Sequence, residues 1–304
     1  MGGWGPVEPV NTSTFFKYLS KWLGTFHIYG FTMVSGYIYY FIRIEKGRYD
    51  HYGNFLKKKA YRLLIPYLFI VLVWVIPVHI YFYGNEDLFQ KFLLGINPSQ
   101  LWFLLMLFWA FALFWPLSRL ADQKPRLVML LFLLGYGIGL GTPLVPNLFN
   151  VRTGMQYLVF FYIGFLIRKY RCEHKLPCAL LFLVHVVLFV LSLWLENQSG
   201  IVMRLANAGV DLLLHAVSAI MVFGVLQVIL DRFEHSILTK LSVHSMTIYL
   251  IHQQLIYFTN QWFSGTLPPA LLVGVNFCAA IAVSVSVSAL TQKQPAIRFL
   301  FGNK

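Results

Sequence analysis

Apolar stretches close to 20 residues long recur through the whole chain, and about 20 residues is the length a helix needs to cross the hydrocarbon core of a bilayer. They fall at 23 to 42, 61 to 82, 101 to 118, 127 to 142, 153 to 167, 178 to 195, 207 to 229, 245 to 263 and 270 to 290. A backbone in lipid must satisfy its own hydrogen bonds, and the helix does so within a single segment. The predicted architecture is therefore all-α and integral to the membrane, a bundle of about nine transmembrane helices. The fourth and fifth stretches are short, and Gly135, Gly137, Gly139, Gly141 and Pro143 suit a tilted, kinked or partly re-entrant path there. No internal repeat and no long linker divides the chain, so residues 1–304 read as one membrane-embedded domain without a soluble appendage.

Charge sets the orientation. Only 12% of the 304 residues are charged, against roughly 25% in a soluble domain. The net charge of +13 comes from cations in the short connections, not from a basic patch interleaved with aromatics, which excludes nucleic acid as a partner. Of the 24 Lys and Arg, 19 fall in the connections 43 to 62, 119 to 126, 168 to 175 and 230 to 244 and in the tail after 290. The other side holds five: Lys17, Lys21, Lys91, Arg152 and Arg204. By the positive-inside rule the C-terminus is cytoplasmic, in the cell membrane, and nine crossings then leave the N-terminus outside. Met1 to Ser13 lacks the basic n-region of a cleavable signal peptide. Cys172, Cys178 and Cys278 share no metal-ligand spacing, so neither a disulfide framework nor a metal site is expected.

The densest charge stands in Phe55 to Tyr67, F-L-K-K-K-A-Y-R-L-L-I-P-Y, at the mouth of the second apolar run. Lys57 and Lys58 suit a topology anchor. Lys59 and Arg62, three residues apart, share one helix face and lie closer to the apolar core, where a cation is costly and usually has a partner.

Six short stretches, in order, resemble the acyltransferase 3 family of integral-membrane acyltransferases, which includes O-antigen acetylases and proteins that O-acylate fucose or glucans. They are Phe26 to Tyr37 (F-H-I-Y-G-F-T-M-V-S-G-Y), Lys57 to Tyr67, Leu101 to Leu104 (L-W-F-L), Phe161 to Gly164 (F-Y-I-G), Ser245 to His252 (S-M-T-I-Y-L-I-H) and the tail Pro295 to Gly302. The resemblance covers the chain from about Phe26 onward. The family pattern opens with a helix carrying an Asp or Arg near its start and a His near its end, and nothing here matches it. Gly2-Gly3-Trp4-Gly5-Pro6 reads like the loop after such a helix. The expectation is one further helix ahead of Met1, giving ten.

The resemblance implies O-acyl transfer from a thioester to a hydroxyl, which requires a base, a stabilised oxyanion and a hold on the donor. It implies that Lys59 and Arg62 serve the acyl donor or the reaction centre. Arg offers a planar fork for phosphate and Lys a point charge. His27, at the outer end of the first helix, is a candidate for polarising the acceptor hydroxyl, and Tyr249 and His252, at i and i+3, face the same way. Ser35 and Trp102 are candidate substrate contacts. So are Asp211 and His215, at i and i+4, where the carboxylate is expected to hold the imidazole in one tautomer or to meet a cation from another helix. A Ser-His-Asp hydrolase is disfavoured because no nucleophile-elbow sequence is present. His79 and His185 read as helix-packing residues, and His51, His174, His235 and His244 as solvated.

The expected activity is transfer of an acyl group, most often acetyl in this family, from cytoplasmic acyl-CoA to a hydroxyl of a cell-envelope saccharide or lipid-linked glycan, with no bound cofactor. The alternatives are a saccharide or lipid carrier without chemistry, which would favour inverted repeats that are not seen, and an inactive fragment.

Overall fold

The computed structural model describes residues 13–141, 147–172, 176–232 and 236–302. Pro143, His174, His235 and the lead before Ser13 lie outside them. Every regular element among the described residues is helical. The order is α1 (Thr14–Gly24), α2 (His27–Tyr40), α3 (Tyr52–Ile70), α4 (Ile76–Tyr83), α5 (Trp102–Gln123), α6 (Pro125–Leu140), α7 (Val151–Lys169), α8 (Cys178–Glu196), α9 (Ile201–Arg232), α10 (Ser236–Ser242), α11 (Ser245–Phe263), α12 (Pro269–Thr291) and α13 (Pro295–Leu300).

Helices occupy all nine expected stretches, with two differences. The first stretch is two helices, because the chain breaks between α1 and α2 at Thr25 and Phe26. The second begins at Tyr52 rather than 61 and runs through a π turn (Val71–Val75) into α4, so the basic cluster lies inside the helix. Among the described residues, five segments are long and apolar enough to cross a membrane: Tyr52–Tyr83, Ser99–Gln123, Cys178–Glu196, Ile201–Asp231 and Pro269–Thr291. This falls short of the nine crossings read from sequence for reasons of length and polarity. Helix α2 has 14 residues and α6 has 16. Helix α7 carries Arg152, Gln156, Arg168 and Lys169, and α11 carries His252, Gln253, Gln254 and Asn260.

Helix α2 lies directly on α7. A Cβ at Gly36 would strike the Phe161 carbonyl, and one at Gly164 would strike the Met33 carbonyl, so the two glycines let the backbones touch. Around this contact sits an aromatic core of Tyr39, Phe55, Phe111, Phe114, Phe161 and Phe165, all buried.

Helix α1 is pinned from outside. Trp22 Nε1 donates to His185 Nε2 at 2.8 Å, and His185 Nδ1 lies 2.7 Å from Ser218 Oγ. Because Nε2 accepts, Nδ1 carries the proton and donates to Ser218, whose hydroxyl donates to the Leu214 carbonyl. His185 is thus the packing residue the sequence suggests, with both nitrogens used.

Candidate active site

A cavity of about 700 Å³ opens where α2, α3, α5, α11 and the C-terminal segment converge. Its wall along α2 and the π turn that follows it (Phe41–Glu45) runs from Phe31 to Ile42, roughly 16 Å by helix rise. One end is polar and basic, with Lys59, Arg62 and Arg298 in its lining, and among the described residues no carboxylate lines the cavity. The other end is walled by Phe31, Phe103 and Tyr249, whose rings follow one another at 6.4 and 5.9 Å.

Lys59 is held by rings. Its Nζ stands 3.4 Å from the centroid of Phe111, 5.6 Å from that of Phe55 and 5.7 Å from that of Tyr49. Among the described residues no carboxylate pairs with it. The partner that sequence reasoning requires for an intramembrane cation is therefore a set of π faces, worth about 0.5–2 kcal/mol per good contact.

Tyr49 reaches this position because its loop is tied down. Its carbonyl accepts from Arg43 Nη1 at 2.5 Å and from Trp115 Nε1 at 2.9 Å, and the guanidinium lies 4.7 Å over the Trp115 ring. The donors hold Tyr49 at φ 71°, a left-handed conformation unusual for an aromatic residue. Arg43 and Tyr49 lie in a connection that carries no motif, and only the loop's path brings them to Lys59.

The structure brings Ser35, Lys59, Arg62 and Tyr249 together in one lining. The Ser35 hydroxyl donates to the Phe31 carbonyl of its own helix at 2.9 Å. The Tyr249 hydroxyl donates to the Gln100 carbonyl at 2.5 Å, and Gln100 and Gln254 exchange amide hydrogen bonds at 2.7 and 3.0 Å. Tyr249 therefore ties α11 to the entry of α5.

His27 and His252 lie one helical turn beyond the aromatic end, four residues before Phe31 and three after Tyr249. His27 Nδ1 is 3.0 Å from the Leu23 carbonyl, and His252 Nδ1 is 2.9 Å from those of Ile248 and Tyr249. Carbonyls only accept, so both imidazoles carry a proton on Nδ1, and Nε2 is the nitrogen left for another partner.

Trp102, Asp211 and His215 belong to a separate cluster. Trp102 packs on Tyr157, Tyr157 stacks on Tyr29 and Tyr29 stacks on His215, with centroids 5.7, 5.1 and 3.9 Å apart. The expected Asp211 to His215 bond gives way to other partners. Asp211 accepts from Ser192 Oγ at 2.6 Å and Asn207 Nδ2 at 2.9 Å, while His215 Nδ1 meets the Thr25 carbonyl at 3.1 Å. The i, i+4 spacing places the two on one face, but Ser192 and Asn207 supply the carboxylate's donors.

Multiple helices long and apolar enough to cross a membrane define a multi-pass membrane protein, and a basic, aromatic-ended cavity lies among them. The family model described as an acyltransferase domain matches residues 2–291, and the chain belongs to this acyltransferase 3 family. The match begins ahead of Phe26, where the quoted motifs start, and ends short of the Pro295 to Gly302 tail. No curated protein and no solved structure matches the chain.

Proposed function

We propose that the protein transfers an acyl group from acyl-CoA, acetyl-CoA in the simplest case, to a hydroxyl of a cell-envelope saccharide or lipid-linked glycan. One observation carries the reading: a single cavity joins three cations at one end to a largely apolar wall roughly 16 Å long that ends at Phe31, Phe103 and Tyr249, and the imidazoles of His27 and His252 stand one helical turn beyond that end. Phosphates are recognised at Lys59 and Arg62, the Arg giving a fork and the Lys a point charge. The pantetheine arm lies along the wall, so the thioester reaches the aromatic end. There the acceptor oxygen attacks the acyl carbon, a C–O bond forms, the C–S bond breaks and CoA leaves as the thiolate. The hydroxyl proton passes to an imidazole Nε2, for which His27 on the acceptor side is the first candidate and His252 the second, and is then returned to the thiolate.

Positive-inside charge supports a cell-membrane protein with the basic end of the cavity and the C-terminus on the cytoplasmic side, where CoA is found. Cysteines introduced at Arg48 and Asn85 are then labelled from opposite faces by an impermeant thiol reagent.

The deciding experiment is mass spectrometry of envelope glycans with and without the gene, paired with transfer of labelled acetyl from acetyl-CoA by the purified chain. Loss of an ester-sized mass together with transfer in vitro is the expected result. An unchanged ester pattern with altered glycan export identifies a carrier instead. Arg62→Lys keeps the charge but loses the fork, so transfer should fall sharply in a protein that still inserts.

A further inference from the structure

The C-terminal segment folds back onto α3 beside the basic end of the cavity. Phe299 meets Tyr61 and Phe301 meets Phe69, both with ring centroids 5.8 Å apart, and Phe301 is buried. The turn after α13 comes so close to α3 that only glycine fits at its last described position. A Cβ on Gly302 would lie 2.9 Å from both the Arg62 carbonyl oxygen and Pro66 Cγ, and Gly302 has φ 72°, which other residues rarely adopt. One turn earlier, Arg298 enters the same lining as Arg62 and Lys59.

Arg298 has no acidic partner among the described residues, and the cavity offers none. Three cations gathered at one mouth without a counter-charge repel one another, and an arriving polyanion relieves that repulsion. A second guanidinium also adds a second planar fork, the geometry that suits phosphate oxygens. The tail is therefore placed as part of the binding wall rather than as an appendage.

We infer that the C-terminal segment is a phosphate-binding element of the donor site, with Arg298 contacting a phosphate of the bound nucleotide and Gly302 docking the segment against Arg62. The inference rests on the acyl-CoA reading of the cavity. Phosphates of CoA and phosphates of anionic lipid headgroups share this chemistry, and the experiment separates them.

Binding is measured to the full chain in phosphatidylcholine nanodiscs with two probes, acetyl-CoA and S-acetylpantetheine, which keeps the thioester but lacks the nucleotide phosphates. Arg298→Ala is expected to weaken acetyl-CoA binding about tenfold or more while leaving S-acetylpantetheine unchanged. Gly302→Ala keeps the charge but lifts the segment, and should give the same selective loss. Equal weakening of both probes reduces Arg298 to a structural residue, and unchanged acetyl-CoA binding removes it from the site. Either result overturns the inference while the transferase reading stands. If Arg298→Ala instead loses stabilisation by added phosphatidylglycerol and keeps its acetyl-CoA affinity, the residue is a lipid contact and the inference fails. Wild-type protein that does not bind acetyl-CoA at all overturns both readings.

Discussion

The Lys59 ammonium stands 3.4 Å from the centre of the Phe111 ring, one turn before Arg62 on the same face of α3. A carboxylate in that place would neutralise the lysine, whereas a ring attracts the cation without adding a counter-charge. Phe111→Leu keeps an apolar side chain and removes the π face. Acetyl-CoA affinity should then fall about two- to thirtyfold, the range set by losing one good cation–π contact. Isothermal titration reads this directly, and unchanged affinity would show that Phe111 does not support the cation's role.

The two imidazoles beyond the aromatic end are separated by substitution. His27→Ala is expected to lower transfer by about 10²- to 10⁴-fold, the range for loss of a general base, with acetyl-CoA binding unchanged. His252→Ala should have the smaller effect. The reverse order in a single-turnover acetyl-transfer assay would move the base to α11.

Tyr249 donates its hydroxyl to the Gln100 carbonyl, so Tyr249→Phe removes a hydrogen bond and keeps the ring that walls the cavity. The net cost is about 1 kcal/mol of stability. Turnover should stay within about tenfold of wild type, because a proton-transfer role would cost about 10² or more. A loss of that larger size, with an unchanged melting temperature, would make the phenol a direct participant.

Much of this arrangement was legible in the sequence because apolar length and charge spacing are local properties. Residues 61 to 82 read as a crossing, and Lys59 and Arg62 as cations sharing one helix face, without any knowledge of their neighbours, and the structure places both in one cavity lining. The start of α3 was misplaced because a basic collar interrupts hydropathy without interrupting the helix. Helix α1 was missed for a related reason: Lys17, Ser20 and Lys21 break the apolar run, while Phe16 and Trp22 give it a packing face. The Arg43 to Tyr49 tie has no sequence signal, since it depends on a loop returning to α5. Arg298 stood within a recognised tail, but its place beside Arg62 depends on Gly302 allowing the chain to touch α3. Asp211 and His215 show the limit of spacing alone, since sharing a face did not make them partners.

Outside the spans, Arg168 at the end of α7 grips Glu45, just past α2, through Nε and Nη2 at 2.8 and 2.9 Å, while its Nη1 donates to the Tyr37 hydroxyl at 2.8 Å. The Arg168 hydrogen bonds hold the Glu45 carboxyl below its ordinary value. A carboxyl with a lowered folded-state pKa binds fewer protons folded than unfolded, so its contribution to stability is complete above the unfolded value, about pH 4. That contribution is lost as pH falls through the lowered folded value. Because the pair is bidentate but partly exposed, its worth is about 1 kcal/mol or less. Wild type should therefore melt above Glu45→Gln by about 2 °C near neutral pH. The gap should hold down to about pH 5 and then close with further acidification. Parallel melting curves across that range, or a gap that widens in acid, would show that the Glu45 to Arg168 pair does not tie α2 to α7 in the way its geometry indicates.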